Sequence, residues 1–381
     1  MTVERFSTAT IVLYVVTILA GTITAFFSYK PRYPQISEDG TYQNAKIDKT
    51  WMMVSFVILW QLLAFSTCGK DTPSYNSIFE ASYHLRSALQ NSSVEPLFYI
   101  FSFLIRIITD NPSVYNAVLA LVFLSLIYRT LYKLKNRLHF GWAILAFSTI
   151  FYLQYLNLKR IYIASAICFF GIPYLLDGKK FKYAVCVCVA FFVHRTSIIM
   201  LFPLVVDFFR TRKLTRFQIV LLALALFSAA VALRNQIFSL FAVGRYGHYT
   251  LYEGGFGMAQ IIFHVPVLWL ISKRKNKKDK ILDWAFIFCI VSFCVCSLGY
   301  IIVVLGRLFV YFIFPFVAVA AAPAEYNYHI SFRFGKKRIS TNKLLQVCIF
   351  MYFGFRLYMY LLQFPFVDGI MPYTNIFGMI F

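Results

Sequence analysis

Charge is scarce in this chain, and acid is scarcer still. Of 381 residues only 14% are charged, with 15 Asp and Glu against 37 Lys and Arg. No stretch is both polar and long enough to fold as a separate water-soluble domain, which excludes a soluble enzyme on an anchor. Walker, HExxH, GxSxG and Rossmann signatures are missing. No aspartate-rich pair stands ready for a divalent metal and a nucleotide-sugar, so cytoplasmic nucleotide chemistry is disfavoured, and neither metal nor cofactor is expected. Cysteine is present but badly placed for a disulfide framework. Cys168, Cys186, Cys188, Cys289, Cys294, Cys296 and Cys348 lie inside apolar runs, and only Cys68 falls near an outer surface. The Cys186-x-Cys188 and Cys294-x-Cys296 pairs have no neighbouring carboxylate or histidine and read as small apolar packing. There is no tandem repeat, low-complexity linker or inverted two-half symmetry.

What the chain has is hydrophobicity: 60% of its residues are apolar. Runs of about 17–25 apolar residues are long enough to cross a bilayer core of about 30 Å. The pattern predicts an all-α polytopic membrane protein, residues 1–381 forming a single transmembrane domain. About twelve helices are expected, near 8–28, 50–67, 113–132, 140–157, 160–177, 181–193, 196–209, 216–234, 258–273, 282–304, 306–326 and 343–362. The first run, Thr8 to Phe27, is too long for a signal-peptide core and is read as a span. The runs 181–193 and 196–209 are short, and read as a hairpin with His194 and Arg195 at its tip. Backbone of that kind is tolerated at membrane depth only in a protein interior or a wet cavity.

Placing the basic loops inside puts 26 Lys and Arg on the cytoplasmic side, as the positive-inside rule expects. Both termini then lie outside. The net charge of +22 thus reflects topology rather than nucleic-acid binding. Eleven basic residues do not fit the inner side: Arg5, Lys70, Arg86, Arg106, Lys159, Arg160, Arg195, Arg234, Arg245, Arg307 and Arg356. Arg5, Arg86, Arg106, Arg234 and Arg356 read as ordinary interface or loop charges. The others need partners, and several together suggest an anionic ligand. Three outer segments are long: 67–112, with an apolar re-entrant or interfacial helix after Glu95-Pro96; 234–257, with Arg245-Tyr-Gly-His248 as a mobile lid or a plain loop; and the tail from Gln363.

The candidate residues follow from this map. Arg160 heads a helix carrying Ala164, Ser165 and Ala166, and its planar fork suits phosphate oxygens. Lys159 beside it reads either as a snorkelling lysine or as part of the site. His194-Arg195 interrupts an apolar stretch; a neutral imidazole there can take a proton from an attacking hydroxyl, and the adjacent arginine favours the neutral form. Asp71, in Gly69-Lys70-Asp71-Thr72-Pro73-Ser74-Tyr75, either opens a turn or orients an arginine or sugar hydroxyls. Glu95 either caps the helix that follows or acts as a base. Arg307, just after Gly306, reads as a ligand or ion-pair residue at the hydrocarbon edge.

These residues resemble the EpsG-like family of Wzy-type bacterial polysaccharide polymerases. The carriers are Gly69-Lys-Asp-Thr-x-x-Tyr75, Glu95-Pro-Leu-Phe, Lys159-Arg160-x-x-x-Ala164, Lys179-Lys-Phe-Lys-Tyr183, Ala190-x-x-x-His194-Arg-Thr-Ser197, Arg307 with Tyr311-Phe312, and Pro372-Tyr-Thr-Asn-Ile376. Each motif is short, and together they run through nearly the whole chain in order. Lys70 departs from the pattern, and Ser66-Thr67-Cys68 stands where an arginine or lysine is expected. The resemblance implies a C-type-like, metal-independent, inverting glycosyltransferase at the outer face of the bacterial cytoplasmic membrane. Such an enzyme polymerises undecaprenyl-diphosphate-linked oligosaccharide repeat units, with membrane lipid around it and a chain-length regulator and a flippase as candidate partners. Arg160, Arg195, Arg307, Arg245 and Lys70 would then hold diphosphate. His194, with Glu95 and Asp71 behind it, would take the proton, and Tyr75, His248 and Tyr373 would meet substrate. A flippase or exporter of the same lipid-linked glycan, or a polysaccharide ligase, is the alternative. Because the unexplained charges lie on one side, an outer-face enzyme is preferred.

Overall fold

The computed structural model describes residues 7–30, 45–84, 86, 94–211, 218, 221, 225, 228–229, 232–233, 236, 258–273, 279–299, 303–322, 332–334, 337–339, 341–363 and 368–381. Among these the chain is overwhelmingly helical. The helices are α1 (Thr8–Ser28), α2 (Lys49–Ala64), α3 (Thr72–Glu80), α4 (Pro96–Ile108), α5 (Pro112–Lys133), α6 (Phe140–Phe147), α7 (Lys159–Leu176), α8 (Lys180–Val193), α9 (Phe202–Thr211), α10 (Met258–Ser272), α11 (Lys280–Leu298), α12 (Ile313–Ala321) and α13 (Thr341–Gln363). A one-turn helix, Val303–Gly306, and two two-stranded antiparallel ribbons, Tyr29–Lys30 with Lys46–Ile47 and Phe332–Phe334 with Lys337–Ile339, accompany them.

Among the described residues five stretches are long and apolar enough to cross a membrane: α1, α5, α7, α11 and Leu344–Leu362 of α13. With the shorter apolar helices around them they define an all-α integral membrane protein. Helix starts follow capping chemistry. The Thr10 amide donates to Ser7 Oγ at 3.2 Å, Ser113 N–H to Asn111 Oδ1 at 2.8 Å ahead of Pro112, and Ile281 N–H to Asp279 Oδ1 at 2.8 Å. Packing is close where side chains are small. A methyl on Gly21 would sit 2.7 Å from Leu59, and Ser55 Oγ donates to Gly21 O at 2.6 Å.

Two expected continuous spans are interrupted. The 140–157 run begins as α6, then passes through a π-helical turn (Ser148–Tyr152) and a 3-10 turn (Leu153–Leu156). The 306–326 run opens as a 3-10 turn, Arg307–Tyr311, breaks at Phe312, and continues as α12 with Pro315 in its first turn. The 196–209 run behaves alike, with a 3-10 turn from Arg195 to Leu201 and then α9, with Pro203 in its first turn. Proline lacks an amide donor and fixes φ, which suits a new first turn rather than a continued helix. The reading of the second half of 67–112 as a separate short helix matches α4, which is too short to span. The expected 216–234 span falls mostly outside the described residues.

A buried arginine–glutamate–histidine cluster as the candidate active site

Four helix ends converge on Glu95. It precedes Pro96 at the start of α4, in the N-cap position, yet its carboxylate makes no hydrogen bond to the amides of its own helix. Instead Oε2 lies 2.8 Å from Arg160 Nη1, in the first turn of α7. Oε1 lies 3.2 Å from His194 Nδ1, at the end of α8, and accepts the Arg195 amide N–H at 3.3 Å. The two side-chain approaches are close, though off the ideal hydrogen-bond axis. The Glu95 side chain is 6% exposed and that of Arg160 16%. Burial alone would raise the carboxyl's pKa. The His194 contact and the Arg160 charge outweigh it and bring Glu95 down to about 2, so it is a fixed anion. The helix-capping reading of Glu95 therefore gives way to a bridging one.

His194 ends α8 with extended backbone (φ −157°), its N–H donating to Ala190 O at 2.8 Å. This break forms the tip expected of the 181–209 hairpin. Arg195 heads the following 3-10 turn, and its side chain is exposed. That turn is tied to the Arg307 turn by Thr196 Oγ1 and Tyr311 Oη, 2.9 Å apart. Arg307 is exposed as well. Asp71, Arg160 and Arg307 all lie within electrostatic reach of the buried Tyr75 hydroxyl, and Arg160 N–H approaches that oxygen at 3.5 Å. Glu95, Arg160, His194, Arg195, Tyr75, Asp71 and Arg307 thus gather at one end of the bundle.

Lys159 corrects the snorkelling reading. It is 2% exposed, and its Nζ donates to Thr72 Oγ1 at 3.0 Å and Asn116 Oδ1 at 2.8 Å. It fastens α3, α5 and α7 together directly beneath Arg160. Lys70 is exposed, and its amide donates to Asp368 O at 2.9 Å. Tyr373 is buried away from the cluster, its hydroxyl donating to Leu62 O at 2.9 Å and its ring edge-on to Tyr14. Arg245 and His248 lie outside the described residues. Arg106 pairs with Asp110 at 3.2 Å, but its side chain is only 10% exposed and lies over the Phe79 and Tyr83 rings, which corrects its reading as an ordinary loop charge. Arg356 likewise stands inside α13 among aromatic rings, which overturns its reading as an interface charge.

Asp368 was not singled out. Its carboxylate accepts Asn157 Nδ2 at 3.1 Å and the Tyr360 hydroxyl at 2.6 Å, and it lies in the field of Arg307 and Asp71. Asn157 in turn accepts the Asp71 amide at 3.0 Å. The tail is stitched to the 65–70 loop by Gly69 N–H to Gly369 O (2.7 Å), Thr67 N–H to Thr374 O (2.9 Å) and Ile376 N–H to Phe65 O (3.0 Å). Two glycines permit this docking. Gly69 (φ +106°) and Gly369 (φ +64°) adopt left-handed backbone, and a Cβ would meet Leu156 O at 2.2 Å and Lys70 N at 2.9 Å. The available signal was an acid in the tail of a chain poor in acids.

The architecture and cluster define a class: an all-α membrane protein with a buried carboxylate bridging arginine and histidine where broken helices meet. The sequence profile of the EpsG family matches residues 49–381, and the chain belongs to that family. Membership indicates a polysaccharide polymerase-type role. No curated protein and no solved structure matches the chain.

Proposed function

We propose that this protein joins undecaprenyl-diphosphate-linked oligosaccharide repeat units into a surface polysaccharide at the outer face of the bacterial cytoplasmic membrane. The observation that carries the reading is the Glu95 carboxylate held between Arg160 and His194 in a chain of the EpsG family. With Glu95 on Nδ1, His194 is oriented to accept a proton at Nε2, the same logic by which a buried acid sets a catalytic histidine's tautomer. A hydroxyl of the incoming repeat unit attacks the anomeric carbon of the growing chain from the face opposite its diphosphate. The new C–O bond forms as the C–O bond to phosphate breaks; the hydroxyl proton passes to His194, and the diphosphate leaves with the bonding electrons. Arg160, Arg195 and Arg307 supply the positive charge that receives them, with no metal required. Asp71, Tyr75 and Asp368 offer sugar-facing polar groups beside that path.

The reaction is read from glycan ladders of a deletion strain carrying Arg160→Ala or His194→Ala. Single repeat units on lipid, with the variant present in the membrane fraction, are expected. Normal ladders from both would overturn the assignment, and polymerised but unattached glycan would identify a ligase instead.

A further inference from the structure

Arg356 is half-buried on α13, and nothing in the proposed reaction uses it. It lies seven residues, about 10 Å, before the end of α13 that leads to Asp368. Its Cζ sits 3.5 Å from the centroid of Phe263, 5.3 Å from Phe309 and 5.8 Å from Phe316. Among the described residues no carboxylate pairs with it and no hydrogen bond engages it. Its polar neighbours are Tyr352, whose hydroxyl donates to Phe263 O, Cys296 and Tyr162. The imidazole packed against the same Phe309 and Phe316 rings, His264, has Nε2 2.9 Å from Ser292 Oγ.

One helical turn further from the site end, α10, α12 and α13 part to leave a crevice of about 200 Å³. Its walls are apolar, among them Pro266, Leu270, Val319, Leu345 and Ile349, and exposed Trp269 and Cys348 stand on its lining. The crevice stops at Tyr352, a neighbour of Arg356 one helical turn along α13. An apolar crevice beside a cation fits a molecule with a long apolar tail and an anionic head. Phe309, over which Arg356 sits, belongs to the same 3-10 turn as Arg307. Arg356 therefore stands between Tyr352 on the crevice and the turn that carries Arg307.

Transfer between two lipid-linked glycans needs two lipid seats. The leaving diphosphate requires guanidinium to receive its charge, which Arg160 of the Glu95–Arg160–His194 cluster supplies. The other diphosphate stays intact and has only to be held. We infer that the α10–α12–α13 crevice with Arg356 seats the isoprenoid chain and diphosphate of the acceptor lipid. This assignment rests on the polymerase reading above.

The test uses the full chain in nanodiscs with a diazirine-bearing polyprenyl diphosphate that carries no sugar. Crosslinks are expected in 263–270 and 344–353. Arg356→Gln should lower them about ten-fold or more, as loss of a charge-assisted contact implies. Cys348→Trp, which fills the crevice and spares Arg356, should do the same, whereas Arg160→Ala should retain them. Unchanged crevice labelling in both the Arg356 and Cys348 variants would overturn the seat, as would equal displacement by phosphatidylglycerol. Normal glycan ladders from the deletion strain itself, with the crevice still labelled, would instead overturn the polymerase reading.

Discussion

Arg160 and Arg356 are both arginines on long apolar helices, and the protein accommodates them in opposite ways. Arg160 has a carboxylate 2.8 Å away, and through it a histidine. Arg356 has three phenyl rings and, among the described residues, no anion. An arginine at a helix centre in a bilayer costs about 2.5–3.5 kcal/mol on insertion scales, and a desolvated cation–π contact returns about 2 kcal/mol. The rings therefore offset much of Arg356's cost while leaving its charge available. The carboxylate neutralises Arg160 in the resting site but binds its position tightly. One arrangement fixes geometry for chemistry; the other keeps an uncommitted cation.

The largest way to break the contrast is to make Arg160 resemble Arg356. Glu95→Ala leaves a buried guanidinium uncompensated, and removing one member of a buried pair costs about 3–5 kcal/mol. Thermal unfolding in detergent should show a large drop, and glycan ladders should collapse to single repeat units. A variant with wild-type stability and full ladders would mean the cluster is incidental. His194→Ala tests the chemistry with less structural damage. Loss of a general base lowers turnover by about 10²–10⁴-fold, and a loss below ten-fold in polymer formed would remove His194 as the base.

Much of the bundle was legible in the residues. The expected 8–28 span is α1, and the short helix after Glu95-Pro96 is α4. Continuous apolar length marks such segments because the bilayer demands it. The break at Arg195 is marked by the polar His194-Arg195, but those at Ser148 and Phe312 were harder to see, since apolar composition continues through them. Facing was harder still. On a helix apolar all round, nothing local says whether Arg356 looks outward or toward Phe263, and that direction is decided by the packing of α10 and α12. Lys159 poses the same problem, because its partners Thr72 and Asn116 come from helices distant in the chain. The site itself was partly legible, since a charge inside apolar sequence is costly enough to stand out. Its bridging by Glu95 was hidden behind an ordinary capping position.

Acid offers a reversible form of the same break. Glu95 is held at about 2, below its ordinary value of 4.5. A depressed carboxyl contributes stability that is complete above about pH 4.5 and lost as pH falls toward 2. Wild type and Glu95→Gln should therefore differ most in melting temperature near neutrality and converge between pH 4.5 and 2. A gap that stays constant over that window would show that the carboxylate's charge is not what holds the cluster.

The smallest effect on stability is expected on the other side of the comparison. Arg356→Met replaces a guanidinium by an apolar chain that packs against Phe263, Phe309 and Phe316. No partner is left unpaired among the described residues, and sulfur–aromatic contacts replace some of the lost cation–π attraction. Replacing a buried charge by a well-packed apolar group is often neutral or stabilising, so the melting temperature should move little in either direction. Polymer formation should fall all the same, because the charge is gone from the acceptor seat. If Arg356→Met melts as far below wild type as Glu95→Ala does, Arg356 is a structural anchor like the Glu95 pair, and the distinction between a committed and an uncommitted arginine fails.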